Sequence, residues 1–163
     1  VFVWAFASTC SVMVSNLMGQ KREDLVITAI NKIVRLCMGL CIFICLLVNI
    51  FPATFFSMFG QGEEFVQQGI PVLRVVSADL LLMCIANIWL NGVTGTGKTR
   101  INLLIEIVAI TFYLLYSWFF IKMNFISLAF AWTNEFIYWS CIFIIAYFYL
   151  KSGKWKSEQF ADK

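Results

Sequence analysis

The chain has 163 residues, of which 61% are hydrophobic, 17% aromatic and 13% charged, with a formal net charge of +3. Soluble domains are about half apolar and about a quarter charged, and a body this small keeps much of its surface in water. The composition therefore argues against a soluble enzyme and against disorder, and so small a charge, spread along the chain, offers no basic stripe for nucleic acid.

A transmembrane helix needs about 20 predominantly apolar residues. Five such runs occur, at about 1–18, 25–51, 70–93, 101–121 and 125–150. Each is too long and too uniformly apolar for a core strand, and no sustained alternation suggests a membrane barrel. The predicted fold is an all-α integral membrane bundle, with 1–150 a membrane lobe and 151–163 a polar, basic tail. The chain opens on Val1 inside an apolar run with no basic segment before it, and is expected to be a piece of something longer.

In chain order, the first run carries Ser8, Ser11 and Ser15 on one strip, of the small-residue kind that lets membrane helices approach closely. A charged link, GQKRED at 19–24, leads to the second run, where Asn31, Arg35, Cys45 and Asn49 fall near one face. Segment 52–69 is expected to be the longest link, broken by Pro52, Gly60 and Gly62. Its Phe55, Phe56, Met58 and Phe59 suggest a stretch lying at the membrane interface. A glycine-rich turn at 92–100 and a tight one at 122–124 complete the connections.

Cytoplasmic loops carry an excess of Lys and Arg. Lys21, Arg22, Lys98, Arg100, Lys151, Lys154, Lys156 and Lys163 fall on one side of this arrangement, and Lys32 and Arg35 begin the second run there. Lys122 and Arg74 lie toward the other side, with Glu63 and Glu64. The tail is therefore expected in the cytoplasm and the chain in the cell membrane as a multi-pass protein. Trp4, Trp118, Trp139 and Trp155 suit the aromatic belts at the two interfaces.

Charges at bilayer depth cost at least about 2.5 kcal/mol each, so they carry the most information. Asp79, Met83, Asn87 and Asn91 recur every fourth residue of the third run and share a face that must turn to protein or water. By the helical rise, Asp79 falls roughly 13 Å from the outer end, near the midplane. Glu135, beside Asn134 and Tyr138 in the fifth run, falls at a similar depth. Glu106 lies nearer the cytoplasmic end of the fourth run, with Asn102, Tyr113 and Ser117 near its stripe. An ion pair with Lys98 is its plainer reading. Asp79, Glu135, Asn87, Asn91 and Glu106 are thus the candidates for cation coupling or for lining a cavity. For each, the alternative is a structural hydrogen bond to a neighbouring helix.

Histidine is absent, which removes the commonest general base and metal ligand. Of six cysteines, Cys37, Cys41 and Cys45 fall at i, i+4 and i+8, on one helix face. Without His or a CxxC pair they are read as soft packing residues, and no metal, catalytic group or organic cofactor is expected. The segment 92–99, GVTGTGKT, matches the phosphate-binding G-x-x-x-x-G-K-[ST] pattern letter for letter. That pattern needs a strand before it, whereas here a polar-striped membrane run precedes it. Glycines that make a turn and cations that hold it inside explain the segment.

Three features resemble the multidrug and toxic compound extrusion (MATE) family of exporters. VMVSNLMGQKRED at 12–24 looks like the end of the second helix of a six-helix half and its cytoplasmic loop. LNGVTGTGKTR at 90–100 looks like the loop after the fourth helix. The third is the spacing, with a long outer loop after the second run and a basic tail. The resemblance implies a fold of two six-helix halves around a central cavity, with this chain supplying about five helices of the C-terminal half. It implies secondary active multidrug efflux, exchanging organic, often cationic, amphipathic compounds for H⁺ or Na⁺ by alternating access. The lipid bilayer and the N-terminal half of the transporter are the implied partners. Some members use an acid in the helix corresponding to the third run, which makes Asp79 the carry-over candidate. Two other classes remain open on the residues: a lipid-linked oligosaccharide flippase of the same superfamily, and a nucleotide-hydrolysing enzyme.

Overall fold

In the computed structural model, residues 2–57, 63–122 and 132–156 are described. All regular structure among them is helical: α1 (Phe2–Gly19), a 3-10 turn at Glu23–Leu25, α2 (Val26–Ile50), the short α3 (Pro52–Ser57), α4 (Glu63–Gly95), α5 (Thr99–Lys122) and α6 (Thr133–Lys151). Four helical segments, Phe2–Gly19, Glu23–Ile50, Phe65–Gly95 and Thr99–Phe120, are long and apolar enough to cross a membrane. The fifth predicted run, 125–150, is described from Trp132 onward, and α6 lies within it. The chain is an all-α polytopic membrane bundle.

Local chemistry sets the helix ends. Phe51 precedes Pro52 and takes φ −120°, ψ 54°, because the proline ring crowds the helical conformation of the residue before it. Between α1 and α2, Lys21 adopts φ 58° and the Arg22 N–H returns to Leu17 O at 2.9 Å, which closes the α1 end. After α4, Gly97 takes φ 77°, and its N–H bonds Thr94 O at 3.0 Å.

Helix α4 is the axis of the bundle. It packs against α1, α2, α5 and α6, while α5 packs mainly on α6. Two of its glycines allow this. A Cβ on Gly92 would lie 2.6 Å from Ile30 Cδ1 of α2, and one on Gly95 would lie 2.7 Å from both Ser11 O and Val14 Cβ of α1. Ser15 Oγ then donates to Gly95 O at 3.0 Å. Toward α6, Trp89 is buried against Tyr147 and Phe143, with ring centroids 4.9 and 6.3 Å away. Toward the outer end, Asn49 Nδ2 of α2 donates to Ser77 Oγ of α4 at 2.8 Å. Between α5 and α6, Tyr116 Oη and Thr133 Oγ1 share a hydrogen bond of 3.0 Å, and Asn134 donates to Ser117 Oγ. The outer faces of α2 and α5 expose Leu36, Phe43, Leu46, Leu103, Leu114 and Trp118, as lipid-facing helices do.

Three expectations change. The predicted link at 52–69 is largely helical: it divides into α3 and the first turns of α4, with residues 58–62 outside the described set. Helix α4 runs through Gly69 and Pro71. Pro71 cannot donate to the carbonyl one turn earlier, but the Phe56 ring covers Gly69, where a Cβ would meet Phe56 Cζ at 2.6 Å. That packing, with Phe56 edge-on to Phe55 and Phe65 at 5.7 and 5.8 Å, holds the segment helical. Secondly, the Trp155 ring, expected to face outward, packs into the protein. It is 1% exposed, and its Nε1–H donates to Leu150 O at 2.6 Å. The turn that returns it to the core uses Gly153 at φ 71°. Thirdly, of the glycines in the 92–99 segment only Gly97 makes the turn, because Gly92 and Gly95 are helical residues of α4 at its close contacts with α2 and α1.

The last point bears on nucleotide binding. A phosphate cradle needs free backbone N–H groups converging on one spot, and those of Gly92 and Gly95 lie inside a helix. Lys98→Ala is expected to leave nucleotide affinity at background in both forms, checked by equilibrium binding of a fluorescent ATP analogue to the full-length protein. Gly95→Val is expected to lower the thermal midpoint in detergent, since overpacking costs about 1–3 kcal/mol. Gly97→Asn, with open space around the position and a residue type that tolerates positive φ, is expected to stay close to the parent.

Candidate functional site

The polar residues of α4 divide between two places. A step of four residues overshoots the helical turn by roughly 40°, so Asn91 faces roughly 120° away from Asp79. The predicted single stripe therefore turns as it descends. Its upper end meets α6, and its lower end opens into a cavity enclosed by α1, α4, α5 and α6.

Asp79 is 7% exposed, and its Oδ1 has no hydrogen-bond partner among the described residues. It lies within electrostatic reach of Glu135. Glu135 is half-buried in the first turn of α6, the end of a helix whose dipole favours a carboxylate. Two acids on adjacent helices thus share one region. Tyr138, one turn below Glu135, lies between the two levels, within electrostatic reach of both Glu135 and Glu106. Its ring packs edge-on to Tyr113 of α5, at 6.2 Å.

The cavity has a volume of about 370 Å³. From α4 it receives Asn87, Leu90, Asn91 and Thr94, and from α5 Asn102 and Glu106. Asn91 Nδ2 donates to Asn87 Oδ1 and O at 2.9 and 3.0 Å. Thr94 Oγ1 donates to Asn102 Oδ1 at 3.0 Å, tying α4 to α5, and Asn102 Nδ2 reaches Glu106 Oε1 at 3.4 Å. Glu106 therefore has its hydrogen-bond partner one turn earlier on its own helix, while Lys98, the expected ion-pair partner, is exposed. The aromatic wall is Trp4, Tyr138 and Trp139. The Trp139 Nε1–H is buried without a hydrogen-bond partner among the described residues. Of the lining residues, one is an acid and none is a cation.

Of the five candidates, Asn87, Asn91 and Glu106 come together at the cavity, and Asp79 and Glu135 come together above it. Sequence reasoning missed Thr94 and Trp139 as cavity residues and read Ser8, which also lines it, as a packing residue. Thr94 was legible as the next step on the Asn87–Asn91 face. Trp139 was not, since a tryptophan in an apolar run points as readily to lipid. The other faces of the predicted polar strips do different work: Cys45 and Asn49 meet Ser77, whereas Asn31 and Arg35 are exposed.

No curated protein and no solved structure matches the chain. A family profile does: MatE covers residues 1–119, which takes in α1 to α4 and nearly all of α5. A match over well over half the chain, on a helical membrane bundle with a polar central helix, places this protein in the MatE family, the multidrug and toxic compound extrusion transporters.

Proposed function

We propose that this chain forms part of a secondary active exporter that exchanges amphipathic organic cations for H⁺ or Na⁺. The carrying observation is the cavity, in which three aromatic rings and one carboxylate surround about 370 Å³. Binding sites for small molecules have volumes of about 300–1,000 Å³ with few polar groups, and aromatic faces attract organic cations, the more so when water is excluded. Glu106 supplies the counter-charge, and Asn87, Asn91 and the Trp139 N–H supply hydrogen bonds that fix orientation.

Asp79 and Glu135 are the proposed coupling acids. Two like charges in a medium of low dielectric repel strongly, and either H⁺ or Na⁺ relieves that repulsion. Tyr138, within reach of the acids at both levels, is the proposed route by which cation loading and drug occupancy oppose each other. The flippase reading is less well supported, because a pyrophosphate headgroup calls for cations and the cavity lining offers none. The cationic loops at Lys21, Arg22, Lys98 and Lys156 support a cytoplasmic placement of that end of the bundle.

Two measurements test this reading. In proteoliposomes of the full-length protein, Asp79→Asn and Glu135→Gln keep side-chain shape and remove the charge. At least one is expected to abolish ion-driven efflux of a fluorescent organic cation while the protein still inserts normally. Full efflux with unchanged ion dependence in both variants rejects the coupling role. In whole cells, an impermeant thiol reagent is expected to label a cysteine placed at Ala53 and to leave one placed at Lys156 unlabelled; the reverse pattern inverts the orientation.

A further inference from the structure

The stripe Cys37, Cys41 and Cys45 does not stay together in the fold. Cys45 Sγ is drawn to Ser77 O at 3.6 Å. Cys84, from α4, takes its place beside the other two. The Sγ atoms of Cys37, Cys41 and Cys84 all lie within 4.8 Å of one another, and all three residues are 0% exposed and free of disulfides. Two ligands one turn apart on α2 thus face a third on α4, a trigonal set of soft donors at a helix–helix contact.

Charge balance selects the ion. Among the described residues the buried charged side chains are Glu23 and Asp79, both acids. No buried cation is there to compensate an anionic complex. Three thiolates around Cu(I) carry two net negative charges and around Zn(II) one, and an uncompensated charge in an apolar interior is costly. Zn(II) also prefers four ligands. Three thiolates around a trivalent ion carry no net charge.

We propose that Cys37, Cys41 and Cys84 form a binding site for a thiophilic trivalent metalloid, arsenic(III) or its heavier congener antimony(III). The entering species is the neutral trihydroxide. Three sulfur–arsenic bonds form and three arsenic–oxygen bonds break, and each thiol proton leaves with a hydroxide as water. Arsenic stays trivalent, and the step needs neither oxidant nor reductant. The product bridges α2 to α4, the helix that carries Asp79, Asn87 and Asn91.

The test uses the full-length protein, reduced and in detergent, equilibrated with inorganic arsenite and then freed of unbound arsenic. One arsenic is expected per chain at this site, and X-ray absorption at the arsenic edge is expected to show three sulfur neighbours and no oxygen. Cys37→Ser, Cys41→Ser and Cys84→Ser are each expected to lose most of the retained arsenic, with Cys84→Ala as a second, smaller variant and size-exclusion profiles confirming folded protein. Cys45→Ser and Cys141→Ser are expected to retain it. Cd(II) offered under the same conditions is expected to bind more weakly than arsenite. Retention unaffected by the three substitutions, a two-sulfur shell in the parent protein, or Cd(II) bound as tightly as arsenite overturns the proposal.

Discussion

Lipid tails give two membrane helices no hydrophobic reason to associate, so a bundle depends on how closely its backbones can approach. Here that closeness is concentrated on one helix. Gly92 and Gly95 remove the side chains that would hold α2 and α1 away from α4. The Ser15 hydroxyl then reaches the Gly95 carbonyl, a contact available only at short range. Toward α6, helix α4 offers Trp89, which packs in an aromatic layer with Tyr147 and Phe143. Because α4 is held on several sides, its polar residues can point inward without meeting lipid. The site exists because the packing does.

The same constraint distributes the polar groups by what each neighbour can answer. Near the outer end Ser77 and Asn49 satisfy each other across α2 and α4. Lower down, the amides of Asn91 and Asn102 bond Asn87 and Glu106 on their own helices, and the Asn102 oxygen also accepts from Thr94 of α4. The acid level at Asp79 and Glu135 is different in kind, since neither side chain can satisfy the other while both are charged. That repulsion is what the proposed loading with H⁺ or Na⁺ relieves.

Much of the architecture was legible because apolar runs of membrane length announce themselves. What misled was local. Segment 52–69 carries the signature of a link, yet α4 has already begun within it, with the Phe56 ring of α3 packed on Gly69. Trp155 stands among Lys151, Lys154 and Lys156, a neighbourhood that reads as solvent, and its burial depends on a positive φ at Gly153. The polar stripe on α4 was visible from its four-residue spacing, but its division was not, since which helix meets which end is a fact of tertiary packing. The cysteines repeat the lesson: spacing grouped Cys45 with Cys37 and Cys41, and the fold exchanged it for Cys84.

The returned Trp155 makes the C-terminal end of α6 self-reporting. Its indole is pinned to the carbonyl of Leu150 and closed off from water. An excursion that parts this end of α6 from the core wets the ring, while the bond to Leu150, within the same end of the helix, can travel with it. Indole emission moves to longer wavelength on hydration, so with the other five tryptophans silenced the protein carries its own optical gauge of how firmly this end of α6 is seated.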